Sequence, residues 1–116
     1  MYVNLAVERF LEYCELDKNL SKRTVKMYGY YLSFFSDWLI AEKGTRKIEV
    51  GEITEDTIRF FRLYLSRNYK NPHKGELKKQ TQTYFLVALR SFFRYLLRIK
   101  EKVISPDVIE LGKRAD

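Results

Sequence analysis

Two stretches of this chain concentrate side chains able to grip an anion. The first is Lys18, Ser21, Lys22, Arg23, Thr24 and Lys26, followed by Tyr28. Ser21 suits the N-cap of a helix, because its hydroxyl can accept an otherwise unpartnered backbone N–H. Lys22 and Arg23 then fall in the first turn, where the helix dipole is positive and a cation is locally unfavourable. A helix shaped for stability alone would carry Asp or Glu there. Phosphates docking at that end reverse the balance, since backbone N–H groups, Ser21, Thr24 and the basic side chains converge on them. The alternative is a solvated charged face.

The second stretch has Lys74, Lys78 and Lys79 leading into Gln80, Thr81, Gln82, Thr83 and Tyr84. Gln can form paired hydrogen bonds to an adenine edge, and Thr can contact phosphate or a thymine methyl. Short polar side chains at a helix start ringed by lysine are what reading a major groove requires. The alternative is an ordinary loop-to-helix junction with Thr81 or Thr83 as a local cap. Arg90, Arg94 and Arg98 follow at i, i+4, i+8. They could line a DNA backbone, meet a partner helix, or lie in solvent with their stems over apolar surface. Arg90 is the one nearest the proposed reading end.

Catalytic chemistry has little to work with. His73 is the single histidine, which excludes a histidine-based triad or a multi-histidine metal site. Cys14 and His73 make a dyad on paper, but Cys14 lies on an apolar helix face and reads as core. There is no Gly-rich phosphate loop. No cofactor is expected, and the aromatic stripes read as core.

The elements that must position these groups are helices. Gly and Pro number 5 and 2 and mostly mark breaks. The first helix spans about Val3 to Leu16, with Val7, Phe10, Leu11 and Cys14 at 3.6-residue spacing. The second starts after Ser21, carries Val25, Tyr28, Leu32, Phe35 and Leu39 widened by Tyr31, Phe34 and Trp38, and stops at Gly44. Thr45 to Ile53 suggests a short extended piece. The third opens at Thr54 with Glu55 and Asp56 in its first turn and ends near Arg67; Ile58, Phe61, Leu63 and Leu65 form its apolar face. Asn68 to Lys78 reads as a loop. The fourth runs from about Lys79 to Lys100 on Phe85, Leu89, Phe92, Leu96 and Ile99, widened by Leu86, Phe93 and Leu97. Ser105-Pro106 begins a short last turn or helix. Gly29 is the one glycine inside a periodic segment; it could permit close approach of another helix or of DNA, and packing against a helix is the preferred reason.

At 116 residues with 46% apolar composition, the chain fits one all-α domain, a small four- to five-helix orthogonal bundle. Its longest apolar run, Tyr84 to Leu89, is far short of a membrane span, so no membrane role is expected. The N-terminus has no basic segment before an apolar core, and one cysteine cannot form an internal disulfide; a cytoplasmic setting is the expectation. The net charge is +7 and is laid out in blocks. Residues 18–36 hold four basic groups and no acid, and residues 59–100 hold eleven basic groups against Glu76 alone. Acidic blocks flank them. Such blocks suggest a surface facing a polyanion.

Leu20-Ser21-x-x-Thr24-x-x-x-Tyr28-x-x-x-Leu32-x-x-Phe35-x-x-x-Leu39 resembles the second helix of the N-terminal core-binding (SAM-like) domain of tyrosine recombinases, the phage-integrase and Xer class. Thr81 through Arg90-Ser91-Phe92-Phe93-Arg94-Tyr95-Leu96, with a proline after a short gap, resembles a later helix of the same domain. Phe10-Leu11-Glu12-Tyr13 and Ile53-Thr54-x-x-x-Ile58 also fit, so the resemblance covers nearly the whole chain. Tyr31 stands where the family often has Asp, and Ser105 where it often has Asn. The resemblance implies half of a clamp around double-stranded DNA, with the second and fourth helices facing the major groove. Ser21, Lys22, Arg23, Thr24 and Tyr28 are then implicated, with Lys79, Gln80, Thr81, Thr83, Tyr84 and Arg90. Lys26 and Lys78 join them on charge. The first helix is implied to meet a neighbouring protomer of the same recombinase on DNA, the isolated domain being a monomer. The family's strand cleavage belongs to a separate C-terminal domain; the His-x-x-Arg motif is absent here, and no tyrosine is expected to act as nucleophile. Residues 1–111 would be the core-binding domain and 112–116 the start of a linker. The competing expectation is a helical interaction domain docking an acidic protein. On the DNA reading, the cationic starts of the second and fourth helices lie side by side.

Overall fold

The computed structural model describes residues 1–67, 70–71, 75–76 and 79–111. Four helices carry it: α1 (Val3–Leu16), α2 (Lys22–Lys43), α3 (Glu55–Arg67) and α4 (Lys79–Arg98). Between α3 and α4 two short antiparallel strands, β1 (Lys70–Asn71) and β2 (Gly75–Glu76), pair Lys70 with Glu76 and Asn71 with Gly75. Single 3-10 turns occupy Val50–Glu52 and Pro106–Val108, so the segment after Ser105 is a turn and not a fifth α-helix.

The ends of the helices follow from local chemistry. Ser21 Oγ accepts the Thr24 backbone N–H at 3.2 Å and caps α2. Gly44 closes α2 at φ 71°, a left-handed conformation that glycine adopts without a Cβ clash. α1 and α4 end without glycine. Asn19 and Lys100 take the left-handed position instead, at φ 51° and 66°. A six-to-one bond closes the turn after α4, Glu101 N–H to Leu96 O at 2.9 Å, and after α1 the Leu20 N–H reaches one residue further, to Cys14 O at 2.9 Å.

The apolar stripes meet in one core. Phe35, Phe61, Phe85, Phe92 and Phe93 are fully buried with Leu32, Leu39, Leu65, Leu89 and Leu96. Phe61 of α3 meets Phe35, Trp38 and Phe85 with ring centroids 4.9, 5.2 and 5.8 Å away, joining three helices edge to face at the two phenylalanines and at a tilt at Trp38. The loop before α3 contributes Ile48, Val50 and Ile53 to the core. It is tied to the N-terminal segment by Val3 N–H to Ile48 O at 2.8 Å and a bridge between Tyr2 and Glu49, the expected extended piece. Leu97 and Ile99, expected in the core, are partly exposed at the end of α4. Periodicity marks the apolar side of a helix but not where its neighbours stop. Gly29 is not forced by packing either: a Cβ there would sit 3.5 Å from Leu11 Cδ1, an ordinary contact.

Candidate nucleic-acid interface

α2 and α4 pack against each other in opposite directions. Tyr31 and Phe34 of α2 meet Phe85, near the start of α4, with ring centroids 4.6 and 5.1 Å away. Further back on α2, Tyr28 meets Phe10 of α1 at 5.8 Å, and Phe10 in turn meets Phe92 and Tyr95 of α4 at 5.7 and 5.6 Å. Moving forward along α2 therefore means moving backward along α4. The expectation that the two helix starts lie side by side is overturned. Ser21 precedes Tyr31 by about 15 Å of helix, and Lys79 precedes Phe85 by about 9 Å on the opposite side of the crossing. Core aromatics hold this arrangement.

The start of α2 lies instead beside the second half of α4. A cleft of 470 Å³ between α1, α2 and α4 is lined by Lys18, Leu20, Tyr28, Ser91, Arg94, Tyr95 and Arg98 among others. Arg94 and Arg98 line it from α4 and are exposed, and Lys22, Arg23 and Lys26 are exposed on the first turns of α2, between its lining residues Leu20 and Tyr28 in sequence. Arg98 also stacks over Tyr13 of α1, its guanidinium 5.6 Å from the ring centroid. Thr24 and Tyr28 of α2 are half-buried.

The second group gathers around the start of α4. Lys79, Gln80 and Tyr84 are exposed, and Thr81 and Thr83 half-buried. Gln80 Nε2 donates to the Tyr84 hydroxyl at 2.8 Å, and Thr83 Oγ1 donates back to Lys79 O at 3.0 Å. Tyr31 joins this group to α2, its ring 6.5 Å from that of Tyr84. Burial pushes the Tyr31 phenol above its usual range, with Tyr84 adding to the shift. Lys78, like Lys74 and His73, lies outside the described residues.

Arg90 stands apart from both groups. Its Nη2 is 3.7 Å from Asp107 Oδ1 in the turn after α4, and its buried Nε has no hydrogen-bond partner among the described residues. The row Arg90, Arg94, Arg98 is therefore split, with the latter two beside α2. Sequence reasoning also passed over Met27 and Tyr30. Both are exposed, at i+4 and i+7 from Arg23, which places them on the cationic stripe of α2 and off its core stripe.

The electrostatics of the helix starts are uneven. α3 has Glu55 and Asp56 in its first turn, whereas α2 and α4 have no acid there. Neither residues 18–36 nor residues 77–100 contain a carboxylate. The exposed faces of α2 and α4 thus offer cations, hydroxyls and amides with no acid before Asp37. Such a surface can neutralise phosphates and hydrogen-bond to base edges.

Residues 7–102 match the family of phage integrase N-terminal SAM-like domains. The chain belongs to that family. A tyrosine recombinase XerC of Pelotomaculum thermopropionicum is 35% identical to this integrase-type domain over 104 residues, 90% of the chain and 31% of the relative. A tyrosine recombinase XerC of Oceanobacillus iheyensis is 31% identical over 96 residues, covering 83% of the chain and 28% of the relative. One from Leptospira interrogans is 28% identical over the same length. The domain spans about a third or less of the length of the curated relatives it matches. No solved structure matches it.

Proposed function

We propose that this chain is a DNA-binding module of a site-specific tyrosine recombinase, forming the N-terminal half of a clamp on double-stranded DNA. The observation that carries the reading is the exposed cationic surface of residues 18–36 and 79–100, on α2 and α4, which holds no carboxylate, in a chain of this family. Lys22, Arg23 and Lys26 together with Arg94 and Arg98 form its cationic end, suited to phosphates. Gln80, Thr81, Thr83 and Tyr84 with Lys79 form the other, suited to base edges. Ser21 and Thr24 hold the start of α2, and Tyr28 lines the cleft between the two helices. Arg90 stands apart from both groups and is assigned to the DNA contact on the donors left beyond its contact with Asp107. Lys78 is assigned to the phosphate-facing group on its charge. Strand cleavage belongs to the part of the relatives that this chain does not cover, and other protomers of the same recombinase are its partners on DNA.

The test is salt-dependent binding. Contact with roughly five phosphates gives a log–log slope of about −4 to −5 for duplex affinity against salt. Alanine at Lys22 and Arg23 together weakens binding to all sequences alike, and alanine at Gln80 or Thr81 changes sequence preference more than overall affinity. Titration of a labelled duplex from dilute buffer upward reads both. A salt-independent affinity, or none in dilute buffer, overturns DNA binding, and complete displacement by an unrelated acidic polymer favours docking to an acidic protein over groove binding.

A further inference from the structure

Three apolar side chains stand exposed on the α2/α4 surface where the cations give way. Tyr30 is 57% exposed, Tyr84 41% and Met27 39%. Exposed apolar groups rimmed by polar ones mark contact surfaces more often than scattered single residues do. Met27 and Tyr30 follow the cationic start of α2, and Tyr84 belongs to the Gln80 group of α4, joined to them through Tyr31.

Tyr30 is held in place while exposed. Its ring packs edge-on against Tyr31 at 5.3 Å and 74°, and Tyr31 is wedged on Phe85 at 4.6 Å. Phe85 is fully buried and touches Phe34 and Phe61 as well. The exposed ring is thus braced through Tyr31 against the core. A ring fixed in this way loses little rotamer freedom on meeting a ligand. Met27, one turn earlier, adds a flexible thioether that fits irregular apolar surface.

Charge decides which ligand suits the patch. Every ionisable side chain from Lys18 to Ser36 and from Lys79 to Lys100 that carries charge at neutral pH is a cation. An apolar strip in such surroundings is complementary to a polyanion that also bears apolar groups. In duplex DNA the apolar group displayed in the major groove is the thymine 5-methyl.

We infer that Tyr30, with Met27 beside it, reads thymine methyl groups and is a specificity-determining residue of this domain. The inference rests on the DNA-binding reading above. Tyr30 makes its contribution through the ring, and Met27 closes the apolar surface on the side of Lys26.

The experiment starts from a random-sequence duplex library enriched on the whole chain at low salt. Each thymine of the enriched site is then replaced singly by deoxyuridine, which removes only the methyl. For the unmodified chain, affinity falls about fourfold at one or two adjacent positions, the effect of burying one methyl group. Tyr30→Ser abolishes that sensitivity and enriches a site degenerate at those positions, with an unchanged salt slope. Tyr30→Phe keeps the ring and the sensitivity. Circular dichroism keeps the helical content of the parent in both variants, and Tyr30→Phe, which keeps the ring on Tyr31, keeps the melting temperature as well. If no thymine is sensitive to loss of its methyl, or if Tyr30→Ser and Met27→Ala together leave the enriched site unchanged, the inference is wrong while DNA binding stands. If the unmodified chain shows no salt-dependent affinity for any duplex, the DNA reading fails, and this inference with it.

Discussion

Cys14 shows how a residue with reactive chemistry is turned to packing. It is buried on the inner face of α1, and burial pushes its thiol above the usual range, more than the nearby Lys18 lowers it. The native state therefore favours the neutral thiol. An unfolded chain ionises first, so stability is full below the unfolded thiol pKa of about 8.5 and falls as pH rises past it. Tyr31 and Tyr95, also raised chiefly by burial, extend the same decline above about pH 10. The urea midpoint should fall steadily between about pH 8 and 11, and Cys14→Ala should remove the first part of that fall. Cys14 should also react with a disulfide reagent at pH 8 only as fast as the domain opens. Rapid labelling of the folded chain would contradict the burial. This much was legible from sequence, because Cys14 shares its spacing with Val7 and Phe10.

Elements were legible wherever local chemistry fixes them. The bounds of α1, the Ser21 cap and the Gly44 stop all follow from neighbours in sequence. The turn at Val50–Glu52 was not foreseen. Its support, Glu49 N–H donating to Glu52 Oε2 at 2.7 Å, comes from an acid pair without the usual Ser or Thr cap. Gly29 is the informative misreading within a helix. Sequence assigned it to close packing, yet a methyl there meets only Leu11 Cδ1 at 3.5 Å. Glycine inside a helix costs about 1 kcal/mol against alanine. Gly29→Ala should therefore raise stability by up to about 1 kcal/mol, read as a higher urea midpoint with an unchanged slope. A destabilised variant would mean that α1 and α2 approach more closely than this geometry allows.

At the scale of the molecule, the site residues were legible as two groups but their mutual placement was not. Helix tips advertise their charge in sequence, whereas the direction of packing is set by Phe10, Tyr31, Phe34 and Phe85, contacts far apart along the chain. Reversing the packing direction changes which arginines matter. On the side-by-side picture, Arg90 would lie nearest the reading end and Arg98 farthest from it. With α2 and α4 antiparallel, Arg94 and Arg98 share a cleft with Lys18, Leu20 and Tyr28 around the cationic start of α2, while Arg90 faces Asp107. Arg94→Glu should then weaken duplex binding at low salt as strongly as Arg23→Glu, and lower the magnitude of the salt slope by about 1. Arg59→Glu provides the control. It makes the same charge change on α3, in a groove shared with Gln82, Val108 and Glu110 that is distinct from the cleft lined by Tyr28, Arg94 and Arg98. Its effect should be confined to the weaker, long-range influence of net charge, which fades beyond a Debye length of about 10 Å at 0.1 M salt. Equal losses from Arg94→Glu and Arg59→Glu at that ionic strength would mean that only total charge matters. The duplex would then have no fixed seat along α2 and α4.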